Sequence, residues 1–432
     1  NATVTWGAGN AGDVYIHVAS KPTFTNCSFT NCSAAGLGGA VYCGPDGLTR
    51  FTDCVFTSND ADDHGGAIYH AARAASKLQG CEFTSNTAGQ RGGAVCYNRD
   101  CVVDVNDCDL SNNSADAYGG AMYVDAVCSG RVSHSVLTHN DADDDGGAIY
   151  LTETDSVQVA DCNVAHNTAI RGGGLYAQES PGSKILRCSI KHNDVTAIRR
   201  LYFLPDPNDP NDPPIPISPT DPNFNPLDPN LIVQDVVDRN TVAQGGGIYS
   251  FAGPRLIADC QIMFNNANTS GGGVYFAGGE YGRRTLRNCL VAGNSAGRDG
   301  AGVSNTWQND LLIANCTIAN NTLSNLQTYG GGLYNSYEAV AEVRDSIIWS
   351  NLATYGSQIA VGSGDPNMPL PARLKVINSD IDLSVESTAQ AYSADLPSLI
   401  RPGFNQSFLA PTDDMSTGQV NIGFMLNYFG VQ

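Results

Sequence analysis

Apolar residues along this chain come in short runs, and the runs recur. In 146–172, "GGAIYL", "SVQVADC" and "NVAHN" are each four to seven residues long, β-branched or aromatic, and separated by polar turns. That is strand length and strand chemistry. No stretch keeps a 3.6-residue apolar period long enough for a helix. The runs also keep a larger period. Glycine pairs begin at Gly38, Gly65, Gly92, Gly119 and Gly146, 27 residues apart, and continue at Gly172, Gly245, Gly271, Gly300 and Gly330. A second element keeps step: "CVFTSN" at 54–59, "CEFTSN" at 81–86, "CDLSNN" at 108–113, and further copies to "CTIANN" at 316–321.

A 27-residue unit with three short strands returns to its start one strand spacing higher. Stacked units then give parallel strands about 4.8 Å apart. The handedness rule for parallel connections makes the coil right-handed. The expected fold is all-β: a single-stranded right-handed parallel β-helix, a solenoid of about twelve coils with roughly 27 residues per coil. Residues 1–26 form an N-terminal cap and first coil, 27–362 the β-helix, and 363–432 a C-terminal cap or assembly segment. "IRRLYF" at 198–203, with Arg199 and Arg200 in the glycine positions, reads as a degenerate coil. The Pro/Asp-rich stretch 205–230 reads as an insertion in that coil.

In such a stack each residue sits above its counterpart, so chemistry comes in columns. Asn59, Asn86, Asn113, Asn140, Asn167, Asn193, Asn265, Asn294 and Asn321 form an inward amide ladder that satisfies the corner backbone. Nine of the 14 cysteines share one column: Cys27, Cys54, Cys81, Cys108, Cys162, Cys188, Cys260, Cys289 and Cys316. Ser135 fills the same slot, so the column reads as small buried side chains rather than metal ligands. Cys101 and Cys128 also lie 27 apart and are a candidate disulfide. Cys32, Cys43 and Cys96 stay unassigned. A phosphate loop would need a helix and a lysine after one Gly-rich turn; here each glycine pair precedes a strand. The aliphatic residue after "GGA" is expected to face inward and the tyrosine outward. This gives a candidate aromatic surface of Tyr42, Tyr69, Tyr123, Tyr150 and Tyr176, continued by Tyr202, Tyr249, Tyr275 and Tyr334.

Charge narrows the partners. Lys and Arg number 23 against 43 Asp and Glu, a net charge of −20. Such a surface repels nucleic acid and anionic membranes, and attracts cations. No apolar run of about 18 residues exists to span a bilayer. The start at Asn1 rather than Met fits a processed product. No cofactor is called for, with calcium at Asp141, Asp143, Asp144 and Asp145 a metal candidate. His139, His166 and His192 must stack, and could bind metal or sense pH. For catalysis, a lyase needs a base beside calcium carboxylates, and a hydrolase needs two carboxylates across a groove. The acidic clusters at 62–64 and 141–145 lie three coils apart, roughly 14 Å, too far to cooperate.

The pairing of "GGAI/V/L" with "F-x-x-N", met at Phe56–Asn59 and Phe83–Asn86, resembles the chlamydial polymorphic outer-membrane proteins and other bacterial surface proteins with a pectate-lyase-like β-helix. The resemblance covers about residues 27–334. It implies a surface-exposed or secreted protein, often an adhesin. Residues 365–432 are too few for the membrane barrel of that family. The expectation is a non-enzymatic extracellular or cell-surface structural or adhesive protein, self-associating end to end into a filament or layer, or binding other surface proteins or glycans. The alternative is a carbohydrate-active lyase or hydrolase, or a glycan-binding β-helix.

Overall fold

The computed structural model describes residues 3–5, 8–196, 198–204, 215–217, 232–237, 242–278, 282–362 and 371–382. The expected right-handed parallel β-helix is present, all-β and with about 27 residues per turn. One coil contains four strands, not three: Val136–Thr138, Asp141–Ala142, Ile149–Thr152 and Ser156–Ala160. The two-residue second strand begins directly after the ladder asparagine, and is too short to stand out as a separate apolar run. Stacking makes four parallel sheets of 13, 11, 12 and 12 strands. Register is strict: Val136 pairs with Asn163 and Tyr150 with Tyr176.

The core is built of columns. Phe29, Phe56 and Phe83 stack at 4.6 Å between ring centroids. Leu110, Leu137, Val164 and Ile190 continue the same slot, each fully buried. Each such side chain contributes roughly 1.5–3 kcal/mol. The glycine pair makes the corner before the third sheet. Gly146 takes φ +72°, where a side chain is strained. A Cβ on Gly147 would lie 2.2 Å from the carbonyl oxygen of Gly173, one coil on.

The presumed degenerate coil is not a coil. Leu175–Gln178 pairs directly with Ile248–Phe251, so the third sheet closes without it. Ile198–Leu204 instead pairs antiparallel with Ile215–Ile217 and Ile232–Val237 in a separate three-stranded sheet. Tyr202 therefore leaves the tyrosine column. Arginines in both corner positions give up the positive-φ freedom that glycine supplies there. The solenoid also runs past residue 362, because Arg373–Ile377 and Asp380–Ile381 add strands to the fourth and first sheets. Most of the 205–230 insertion, and the terminal segment from 383, lie outside the described residues.

Candidate functional site

The asparagines line the interior and are fully committed. Asn113 Nδ2 donates to Asn140 Oδ1 at 3.0 Å and to the Phe83 carbonyl at 3.0 Å. Its own Oδ1 accepts from Asn86 N and Nδ2 at 3.0 and 2.9 Å. The same pattern runs through Asn59, Asn86, Asn140, Asn167, Asn193, Asn265, Asn294 and Asn321. Cys32 N opens the ladder by donating to Asn59 Oδ1 at 3.1 Å, so Cys32 occupies the first asparagine slot. Asn351 Nδ2 closes it on Gln358 Oε1 at 2.8 Å. Counting back 27 residues from Asn59 would have assigned Cys32.

The cysteine column asks for a short donor rather than for sulfur. Cys54 Sγ donates to the Thr52 carbonyl at 3.3 Å, and Ser135 Oγ to Ser133 at 2.8 Å. Ser346 and Ser379 repeat the contact. Every cysteine is a free thiol, and Cys27 alone is not buried. Cys101 and Cys128 are therefore a stacked thiol pair, not the expected disulfide, with Cys101 N donating to Cys128 Sγ at 3.3 Å. In-register stacking holds their Cβ atoms about 4.8 Å apart and parallel, beyond the roughly 3.8 Å a disulfide favours.

The tyrosines point away from the main core, as their alternation with buried Ile149 requires, yet they are not an exposed surface. Tyr69, Tyr123, Tyr150 and Tyr176 are 2–8% exposed; Tyr42 is half-buried. The rings cover one another: Tyr150 and Tyr176 stack at 4.7 Å, Tyr176 and Tyr249 at 4.7 Å, Tyr249 and Tyr275 at 5.1 Å. Together with Ala71, Cys96 and Ala277 they form a second apolar cluster.

What covers them is the residue before each glycine pair, a column of varied residues that includes His64, Arg91, Tyr118, Asp145, Arg171 and Gln244 on successive coils. Arg91 lies over the Tyr123 ring at 5.0 Å, and Arg171 over Tyr176 and Tyr249 at 5.2 and 5.6 Å. Arg171 Nε and Nη2 grip Asp145 Oδ1 and Oδ2 at 2.7 and 2.6 Å. The Asp145 side chain is 2% exposed and that of Arg171 39%. Burial pushes the Asp145 carboxyl up to about 6, against the opposite pull of Arg171. A groove of about 400 Å³ opens here, lined by Tyr118, Asp144, Asp145, Ile170, Arg171, Val242 and Gln244. Both Asp145 oxygens accept from Arg171, so the groove offers a guanidinium, the Tyr118 ring and the Asp144 side chain. Arg171 escaped sequence reasoning, although its place 26 residues after Asp145 marks the partner one coil on.

The candidate calcium ligands are divided by this geometry. Asp141 accepts from Thr168 Oγ1 on the next coil, whereas Asp145 is buried against Arg171. Among the described residues no three His, Cys, Asp or Glu side chains are placed to hold a metal ion. His139, His166 and His192 do stack, at 5.0 Å, on the exposed corner before the asparagine ladder, and Phe264 continues the stack at 5.2 Å. Each takes φ near +56°, which suits His, Asn and Ser better than bulky residues. Burial and the two flanking imidazoles lower the His166 pKa.

The family model for a right handed beta helix region matches residues 1–127 and 39–200. Among solved structures, the A-module of a mannuronan C-5 epimerase from Azotobacter vinelandii is similar in fold. The identity is 11%, with 88% of this chain and 91% of that chain covered at a TM-score of 0.39. No curated protein matches the chain. Among the described residues no helix is long and apolar enough to cross a membrane.

Proposed function

We propose that the chain is a non-enzymatic extracellular or cell-surface scaffold that associates end to end with copies of itself. The observation that carries this reading is the complementarity of its two ends. The first rung presents Thr3–Thr5, Val14–Ile16 and Thr23–Thr25; the last presents Asp380–Ile381, Ile359–Val361 and Arg373–Ile377, in the same three parallel sheets. Among the described residues no further strand pairs with either end rung; an unpaired strand edge is a template for pairing, and here one end has the strand direction and spacing that the other would extend. The resemblance of the "GGAI" and "FxxN" pairing to that of polymorphic outer-membrane proteins supports a surface location. The commitment of the asparagines, thiols and Asp145 to internal contacts supports a non-catalytic role. Electron microscopy of purified native protein, with and without a calcium chelator, tests it. Rods that lengthen in multiples with concentration are expected; monodisperse short rods at every concentration would sink the assembly reading.

A second reading, glycan binding, is favoured by the groove beside Arg171, where the Tyr118 ring and a guanidinium meet. Saccharide binding lost in Arg171→Ala, without turnover of the saccharide, would support binding; turnover would point to a carbohydrate-active enzyme.

A further inference from the structure

Arg284 begins a strand of the fourth sheet, and its register partner one coil on is Leu311, a fully buried core residue. The arginine therefore turns into the coil, where it is 1% exposed. Its Nη1 donates to Asn309 Oδ1, and to the Gly282 carbonyl at 3.3 Å. Asn309 Nδ2 passes the contact to Asn305 Oδ1 at 2.5 Å, and Asn305 Nδ2 to Asn335 Oδ1 at 2.7 Å. These amides satisfy one nitrogen but carry no charge.

The other edge is different. Nε and Nη2 of Arg284 are buried without a hydrogen-bond partner. Three other arginines use that edge in one way. Arg73, Arg171 and Arg187 each grip an aspartate one coil away with Nε and Nη2 together: Asp46, Asp145 and Asp161. Among the described residues the carboxylates near Arg284 are engaged by others. Glu342 accepts from Arg283 at 2.8 Å and Arg344 at 2.5 Å, and Asp310 faces Arg283 at 3.4 Å. No ion pair among the described residues includes Arg284. A guanidinium stays charged at neutral pH, and an uncompensated buried charge costs several kcal/mol. Burial and the nearby Arg255 lower the Arg284 pKa to about 10, with Asp310 opposing, which leaves it protonated at neutral pH.

We infer that the Nε and Nη2 edge of Arg284 binds a small monovalent anion inside the coil. The anion takes the place that Asp46, Asp145 and Asp161 take for the other arginines, with two charge-assisted hydrogen bonds on one fork. It lets a chain of net charge −20 keep a cation in its core.

Two measurements on the full chain test this. Crystals grown in sodium bromide should give an anomalous peak within hydrogen-bond reach of Arg284 Nε and Nη2. A water molecule there, or no peak, would overturn the proposal without any variant. Thermal melts at constant ionic strength, with sodium chloride replaced by sodium gluconate, should show a lower Tm in gluconate for the native chain. The difference should vanish in Arg284→Met. Equal salt dependence in both proteins, or none in the native chain, would count against the site.

Discussion

Two corners of the same coil are built on opposite rules. The asparagine corner repeats one residue from Asn59 to Asn351, because each amide turns inward and hydrogen-bonds to its copies above and below. The corner before the glycine pair holds His64, Arg91, Tyr118, Asp145 and Arg171 on successive coils, because its side chains lie outside the main core and need only cover a tyrosine ring. Repetition marks what the fold requires. Variation marks where the outer face is free to carry recognition, as at the Arg171 groove.

The largest expected effect lies where backbone meets backbone. Gly147→Ala drives a Cβ to 2.2 Å from the Gly173 carbonyl oxygen and 2.5 Å from that of Thr168, so two coils must part. A loss of roughly 4 kcal/mol or more is expected in chemical denaturation. A loss under about 1 kcal/mol would mean the corner is looser than described. Next comes Arg171→Ala, which strands the buried Asp145 carboxylate. Removing one partner of a buried pair costs about 3–5 kcal/mol, and the partial exposure of Arg171 reduces this to about 2 kcal/mol. Adding Asp145→Asn should recover most of the loss; no recovery would show that the ion pair is not the cause.

Acid titration separates two carboxylates with opposite signs. Arg283 and Arg344 hold the Glu342 carboxyl down to about 2. Its contribution is therefore present above the unfolded value of about 4.3 and lost as pH falls towards 2. Asp145, raised to about 6, contributes most below its unfolded value of about 3.9 and loses that contribution as pH rises through 6. Glu342→Gln should flatten the stability curve below pH 4.5, and Asp145→Asn between 4 and 6. Flattening in the other window would reverse the assignments. The smallest effect is expected from Cys108→Ser, because Ser135 already fills the next slot and accepts from Cys108 N at 3.1 Å. A cost under about 1 kcal/mol is expected, and in the native protein only Cys27 should react with a thiol reagent. Rapid modification of several buried thiols would contradict the packing described.

The period alone made the parallel coil legible, since 27-residue spacing puts like residues in register whatever their neighbours. It misled at 198–203, where an apolar run with an aromatic residue imitates the third-sheet strand but lacks the glycines. The outward direction of the tyrosines was legible from alternation; their burial was not, because it depends on rings and side chains from adjacent coils. Asp145 drew notice as one of four aspartates, yet only register across the coil identifies Arg171 as its partner. Arg284 gave no signal, since "GRR" carries no mark of which arginine turns inward.

The contrast between inward ladder and outward corner is tested most directly at two adjacent residues. Asn167 is fully buried and donates to Asn193 Oδ1 at 2.9 Å and to the Leu137 carbonyl at 3.0 Å; His166 is exposed and only stacks between His139 and His192. Chemical denaturation of Asn167→Ala should show a loss of roughly 3 kcal/mol, as several buried groups lose partners at about 1–3 kcal/mol each. His166→Ala should cost under about 1 kcal/mol. Equal losses, or the larger loss at His166, would contradict the account.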